Sequence, residues 1–306
     1  MPLYAKFSSA NVCVSADYYM NLPQPDQDPL ELAGLFEGDI AGSDGIGKNA
    51  IRDRKKLWPD ATIPYEIEKS YGQEDRERIA LAMQEIQKVS CVRFVPREDQ
   101  NNYILIRQLK GCFGSPGMQG GKQDMSIGFG CEGVGTIIHE FMHTLGFYHE
   151  HSRTDRDKFI EIKWNNIRND ESIGRKYSIS DHDVLCTDRK GQFSKYTDRE
   201  IQHLNETYDY GSILHYNPTA FSKDYKSVTI VARKPGGEAM GQRKKLSETD
   251  IRKINKLYSC SQSSPVNKHK DEFDRYCDQG EWTDLICSMD KTPQLAGIVI
   301  KVHGPI

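Results

Sequence analysis

Residues 61–68 alternate apolar and polar side chains, with Ile63, Tyr65 and Ile67 on one face, and predict a β-strand. Residues 74–89 set Ile79, Met83, Ile86 and Val89 along one stripe, which predicts an amphipathic helix. Residues 103–109 (YILIRQL) form a short apolar run that reads as another strand. Five glycines and a proline within residues 111–121 mark a loop. Residues 134–145 predict a second, strongly apolar helix, and residues 248–258 a last one. Between these two helices the chain is polar and irregular. The order strand, helix, strands, helix, irregular chain points to an α+β fold and away from a doubly wound sheet.

The first 48 residues break this pattern. Pro23, Pro25 and Pro29 lie among Asp and Gln, and Gly42, Gly45 and Gly47 follow, which is the chemistry of a linker or pro-segment. A single apolar patch, from Leu30 to Phe36, interrupts it and suits docking.

Composition narrows the function classes. The 306 residues carry a net charge of −3 and are 37% hydrophobic, enough for one substantial domain or two small ones. The balanced charge argues against a nucleic-acid partner. No run reaches the roughly 18 apolar residues of a membrane-spanning helix. Eight cysteines, none in a C-x-x-C pair, favour disulfides and an oxidising compartment. Residues 1–22 lack the apolar core of a signal peptide. That leaves three alternatives: an N-terminus that is incomplete, export by another route, or a reduced protein inside the cell.

The chemistry centres on His139-Glu140-Phe141-Met142-His143. Histidines at i and i+4 share a helix face, so both imidazoles can reach one metal ion. Glu140 is placed to take a proton from water at that metal. Gly146 tolerates a positive φ and can reverse the chain, which lets His149 return as a third ligand. Three nitrogen ligands leave a position open, the mark of a catalytic zinc site. The bland alternative is a buried helix with two hydrogen-bonded histidines, and the added Gly146 and His149 make it a poor account.

Residues 139–157 read HEFMHTLGFYHEHSRTDRD. They resemble the extended zinc motif of the astacin family of metzincin endopeptidases, H-E-x-x-H-x-x-G-F-x-H-E-x-x-R-x-D-R-D, with every fixed position present. The resemblance covers residues 36–260. It implies a metzincin fold of two subdomains, with a twisted sheet and a zinc-binding helix, and one Zn2+ per chain held by His139, His143 and His149. Ser212-Ile213-Leu214-His215-Tyr216 is similar to the family's Met-turn, with Leu214 in the methionine position. Leucine has a similar volume, so the apolar floor should survive. The resemblance makes Tyr216 an additional zinc ligand in the free enzyme and an oxyanion donor during catalysis.

Phe36-Glu37-Gly38-Asp39 resembles the family's F-x-G-D pro-segment motif, in which the aspartate binds zinc and displaces water. Asn49 to Asp53, after Lys48, resembles the mature start of several astacins and suits a trypsin-like activating protease. The family buries the new N-terminus against the Glu after the third histidine, here Glu150. Matching positions imply disulfides Cys91–Cys260 and Cys112–Cys131. Cys277 and Cys287 are close enough in sequence to pair, while Cys13 and Cys186 have no counterpart. The implied organisation is a pro-segment over 1–48, a catalytic domain over 49–260 and an extension of unknown structure over 261–306. Residues 165–208 form a polar insertion, and Asn205-Glu206-Thr207 is a glycosylation motif if the chain is secreted. By position, residues 124–130 match the edge strand on which the family aligns peptide substrates.

The expected function is a secreted zinc endopeptidase made as a latent zymogen, acting on protein or peptide substrates through Glu140 and Tyr216. The alternative is a catalytically inactive, zinc-containing peptide-binding protein, which Leu214 and the insertion keep open.

Overall fold

Strand β1 (Thr62–Ile67) turns Ile63, Pro64 and Tyr65 into the core of the computed structural model, which describes residues 28–42, 53–169, 189–197 and 202–260. Cys13, Cys186, Cys277, Cys287, the Lys48–Asn49 boundary and residues 261–306 lie outside the described residues. Helix α1 (Gln73–Val89) buries Ile79, Met83 and Ile86, the stripe its periodicity predicts. Four strands complete the main sheet: β2 (Arg93–Pro96), β3 (Tyr103–Arg107), β4 (Cys112–Phe113) and β5 (Lys122–Ile127). The sheet order is β2-β1-β3-β5-β4, parallel throughout except for β4, which runs antiparallel to β5. Helix α2 (Val134–Thr144) follows, then a small antiparallel pair, β6 (Ile160–Ile162) and β7 (Ile230–Ala232), and finally α3 (Glu248–Leu257).

Strand β4 lies in the glycine-rich stretch that the sequence predicts as loop, and Cys112 there is joined to Cys131. Its presence changes the expected substrate edge. Residues 124–130 were expected to supply that edge, but β5 is flanked on both sides, by β3 and by β4. The edge belongs to β4 and its continuation at Gly114. Residues of the N-terminal segment already pair there: Gly114 N–H donates to the Asp39 carbonyl (3.1 Å) and Ala41 N–H to the Gly114 carbonyl (3.0 Å).

The principal core lies between the sheet and α1, α2 and α3. A second core gathers β6, Phe193, Tyr208, Tyr210, Tyr216 and Phe221, and a third joins Ile40 and Phe36 to Tyr148 and Tyr196. Helix α2 is buried almost all round, so the carbonyls at its C-terminal end need partners inside the protein. Trp58 Nε1 donates to the Thr144 carbonyl (2.9 Å) and the Tyr258 hydroxyl to that of Leu145 (3.0 Å). The Cys91–Cys260 disulfide ties the end of α1 to the end of α3 across 169 residues, worth roughly 5 kcal/mol in the chain-entropy account. Among the described residues, no helix is long and apolar enough to cross a membrane.

Candidate metal centre

Helix α2 presents His139 and His143 one turn apart, both fully buried, with their Nε2 atoms 3.2 Å apart. The helix stops at Gly146. Gly146 N–H donates to the His143 carbonyl (2.7 Å) and Phe147 N–H to that of Met142 (3.0 Å), the paired bonds of a Schellman end. Gly146 has φ = 105°, a conformation that costs glycine nothing and strains other residues. The reversal returns His149, whose Nε2 lies 3.3 Å from that of His139.

The outer nitrogens fix how the inner ones point. His139 Nδ1 lies 2.7 Å from the Ile213 carbonyl, and His143 Nδ1 2.7 Å from the Phe147 carbonyl. Carbonyl oxygens only accept, so each Nδ1 carries the hydrogen and each Nε2 turns a lone pair inward. His149 Nδ1 donates in the same way to Glu37 Oε2 at 2.7 Å. Converging lone pairs repel unless a cation lies between them. Nitrogens 2.0–2.1 Å from a zinc at tetrahedral angles would sit about 3.3 Å apart, which the observed spacings match.

Asp39 supplies the fourth corner. Its Oδ2 lies 3.1 Å from His139 Nε2, and its Oδ1 lies 3.3 Å from His149 Nε2 and 3.6 Å from His143 Nε2. The carboxylate is fully buried, and among the described residues none donates a hydrogen bond to Oδ1. One carboxylate and three imidazoles within 4.8 Å of one another form a donor set that fits one Zn2+. Burial raises the Asp39 pKa, but the three histidines outweigh it and hold the carboxyl well below its usual range. Without a cation among the imidazoles, burial lowers the His149 pKa, yet Asp39 and Glu37 carry it up to about 9, so metal binding must displace that proton. His139 moves the other way, depressed by burial and by the charge of Arg243.

Glu140 is also fully buried, and among the described residues neither of its carboxylate oxygens has a hydrogen-bond partner. Burial first, and the Asp39 charge second, push its pKa well above the ordinary carboxylate range. Tyr216 packs 4.7 Å from the His149 ring centre and donates its hydroxyl to the Glu37 carbonyl at 2.5 Å. Leu214 sits in the principal core, 3% exposed, as an apolar floor requires.

In the uncleaved chain Glu150, which the resemblance pairs with a new N-terminal ammonium after cleavage, is already ion-paired. Lys253 Nζ donates to it at 2.6 Å, Arg153 at 3.2 Å and the Asp209 N–H at 3.0 Å. Burial raises its pKa, but Lys253 and Arg153 prevail and lower it. Two cations already balance this carboxylate.

The sequence reading missed four residues at the centre. Glu37 accepts from Ser152 Oγ (2.5 Å) and the Tyr196 hydroxyl (2.7 Å) as well as from His149. His151 stacks its ring on Tyr216, centroids 3.7 Å apart. Glu37, His151 and Ser152 occupy variable positions of their motifs, and Tyr196 lies in the presumed insertion. Three acceptors and donors of the right chemistry beside fixed motif positions were the available signal.

Comparison with known proteins agrees with this geometry. The sequence profile of the Astacin peptidase family matches residues 50–183 and 175–259. Zinc metalloproteinase nas-4 of Caenorhabditis elegans is 42% identical over 245 residues, covering 76% of this chain and 72% of that protein. Human meprin A subunit beta is 36% identical over 230 residues, 75% of this chain but 30% of its own length. Among solved structures, high choriolytic enzyme 1, a hatching enzyme zinc-protease from the medaka fish Oryzias latipes, aligns with a TM-score of 0.56 and 33% identity. It covers 72% of this chain and 97% of that one. The α+β architecture with its histidine-bearing helix is therefore a metzincin fold, and the chain belongs to the astacin family of zinc metalloendopeptidases.

Proposed function

We propose that the chain is the latent form of a secreted zinc endopeptidase in which Glu140 moves the proton during peptide hydrolysis. The observation that carries this reading is the pair of unpartnered, buried Glu140 oxygens beside three converging imidazole nitrogens. Zinc bound by those nitrogens supplies a Lewis acid that polarises the scissile carbonyl and acidifies an adjacent water. Glu140 takes the proton of the attacking water at one oxygen and delivers it to the departing amine. Tyr216, once freed from the Glu37 carbonyl, donates its hydroxyl to the oxyanion. Chelation tests the reading: trypsin-treated protein should digest casein, lose that activity on metal removal and regain it with zinc. Digestion that persists in metal-free protein overturns it.

Latency rests on Asp39. Its carboxylate fills the corner of the donor set where substrate chemistry would occur, and the segment carrying it pairs with the sheet edge at Gly114. Asp39→Ala should raise hydrolysis by the uncleaved chain roughly tenfold or more, because the inhibited state loses its most direct contact. A fully latent Asp39→Ala protein counts against the latch. Cleavage after Lys48 by a trypsin-like protease would remove the segment. The two disulfides and the exposed Asn205 support an extracellular site of action.

Tyr216→Phe should lower kcat about 100-fold in the processed enzyme, the usual cost of one oxyanion donor, without changing zinc stoichiometry. An unchanged kcat removes the role.

A further inference from the structure

Resting on the latency just proposed, we infer that Glu37 is a second acidic latch, which holds the segment through the outer nitrogen of His149 in a carboxylate pocket completed by Ser152 and Tyr196. Asp39 meets the inner face of the imidazole cluster. Glu37 meets its back.

The pocket is built from side chains. Three donors converge on one carboxylate: His149 Nδ1 at 2.7 Å on Oε2, and Ser152 Oγ at 2.5 Å with the Tyr196 hydroxyl at 2.7 Å on Oε1. Glu37 and His149 are essentially inaccessible, as is Ser152, and Tyr196 is buried. All three donors belong to elements more than a hundred positions away in sequence (112, 115 and 159 residues), so departure of the segment strips all of them of this partner at once. A merely structural glutamate in a loop would find donors nearby.

The backbone is shaped to deliver it. Glu37 holds φ = 47°, an uncommon conformation for a residue with a side chain, and such strain persists where surroundings enforce it. The next residue must be glycine. Gly38 has φ = 87°, and a Cβ there would lie 2.9 Å from the Leu30 carbonyl oxygen and 3.2 Å from the Phe221 ring. This corner closes with reciprocal Leu35 and Gly38 backbone bonds (3.0 and 3.2 Å), and Phe36 and Ile40 clamp it against Tyr148 and Tyr196. The same corner turns the Glu37 carbonyl to the Tyr216 hydroxyl. One residue thereby engages a cluster histidine and parks the oxyanion donor.

A carboxylate on Nδ1 also makes Nε2 a stronger ligand, and such outer partners typically change metal affinity 10–100-fold. Glu37 therefore couples segment binding to metal retention. The two effects share one contact, which gives the test its form.

The zinc-loaded, uncleaved full chain is compared with its Glu37→Gln, Tyr196→Phe and double variants, with Asp39→Ala alongside. Two readouts are taken: the apparent Kd of a peptide hydroxamate that competes with the segment, and the rate of zinc release to a chelator. Glu37→Gln should tighten hydroxamate binding 10–100-fold and speed zinc release at least fivefold. Tyr196→Phe should tighten the probe by a smaller factor, and the double variant should not exceed Glu37→Gln by more than about twofold, since both changes break one contact. Hydroxamate binding to Glu37→Gln within twofold of the parent, or independent multiplication of the two effects, overturns the second latch. If Asp39→Ala opens the site while Glu37→Gln does not, this inference alone fails. If neither opens it, the latency reading fails with it.

Discussion

Replacing Glu140 with glutamine should cut turnover of the processed enzyme by about 10²–10⁴-fold, or about 3–5 kcal/mol of barrier, while zinc stays at one per chain. Glutamine keeps the volume and shape of the side chain, so α2 and its neighbours should not rearrange. It offers no oxygen basic enough to hold a transferring proton. The upper half of the range is expected because no described group bonds either Glu140 oxygen in the uncleaved chain, so none of the described residues stands ready to replace it. Burial raises its pKa, which strengthens it as a base, and the Asp39 charge adds to that rise only while the segment is in place. Metal should be retained because the inward-facing donors that remain after processing are the three imidazoles, not Glu140. Steady-state kinetics on a fluorogenic peptide, with zinc measured by atomic emission, decides it. Turnover within tenfold of the parent would remove Glu140 as proton carrier. The same variant separates an enzyme from an inactive peptide-binding relative, since a binding protein has no turnover for it to lose.

What could be read from the chain divides along a physical line. Helices α1 and α2 were legible because burying one face of a helix imposes a periodic apolar pattern, and burying all faces a continuous apolar run. The His139–His149 constellation was legible because a helix turn and one reversing glycine fix its spacing locally. Strands β2 and β4 were not, since four and two residues are too short to show alternation, and their places come from partners β1 and β5. That is why position relative to the zinc helix placed the substrate edge at residues 124–130, in β5, when β4 lies outside it in the sheet. The Glu37 pocket was illegible for a related reason. Its members come from positions 37, 149, 152 and 196, and only the folded chain brings a corner with positive φ against them.

Glu150 shows the same limit from the energetic side, and it carries the second large prediction. A buried carboxylate beside the third histidine requires a counter-charge. The motif suggested one that arrives only after cleavage, but Lys253 on α3, 103 residues away, is already there at 2.6 Å. Lys253→Met keeps the aliphatic stem and removes the charge, so the uncleaved protein should lose about 3–5 kcal/mol of stability at neutral pH, the usual cost of breaking one side of a buried ion pair. Arg153 remains at 3.2 Å and holds the loss toward the lower figure. The pH dependence identifies the cause. Lys253 and Arg153 hold the folded pKa of Glu150 below its ordinary value of 4.5, so their contribution is present above that value and fades as acid protonates the carboxylate. The gap in Tm between parent and variant should accordingly be widest near pH 7 and shrink as the pH approaches 4. A gap that is absent at neutral pH, or that widens in acid, would show that Lys253 stabilises the protein by packing and not by charge. Because two cations neutralise Glu150 before any processing, enzymes trimmed to start one or two residues either side of Asn49 should differ little in stability, and their unfolding midpoints measure that directly.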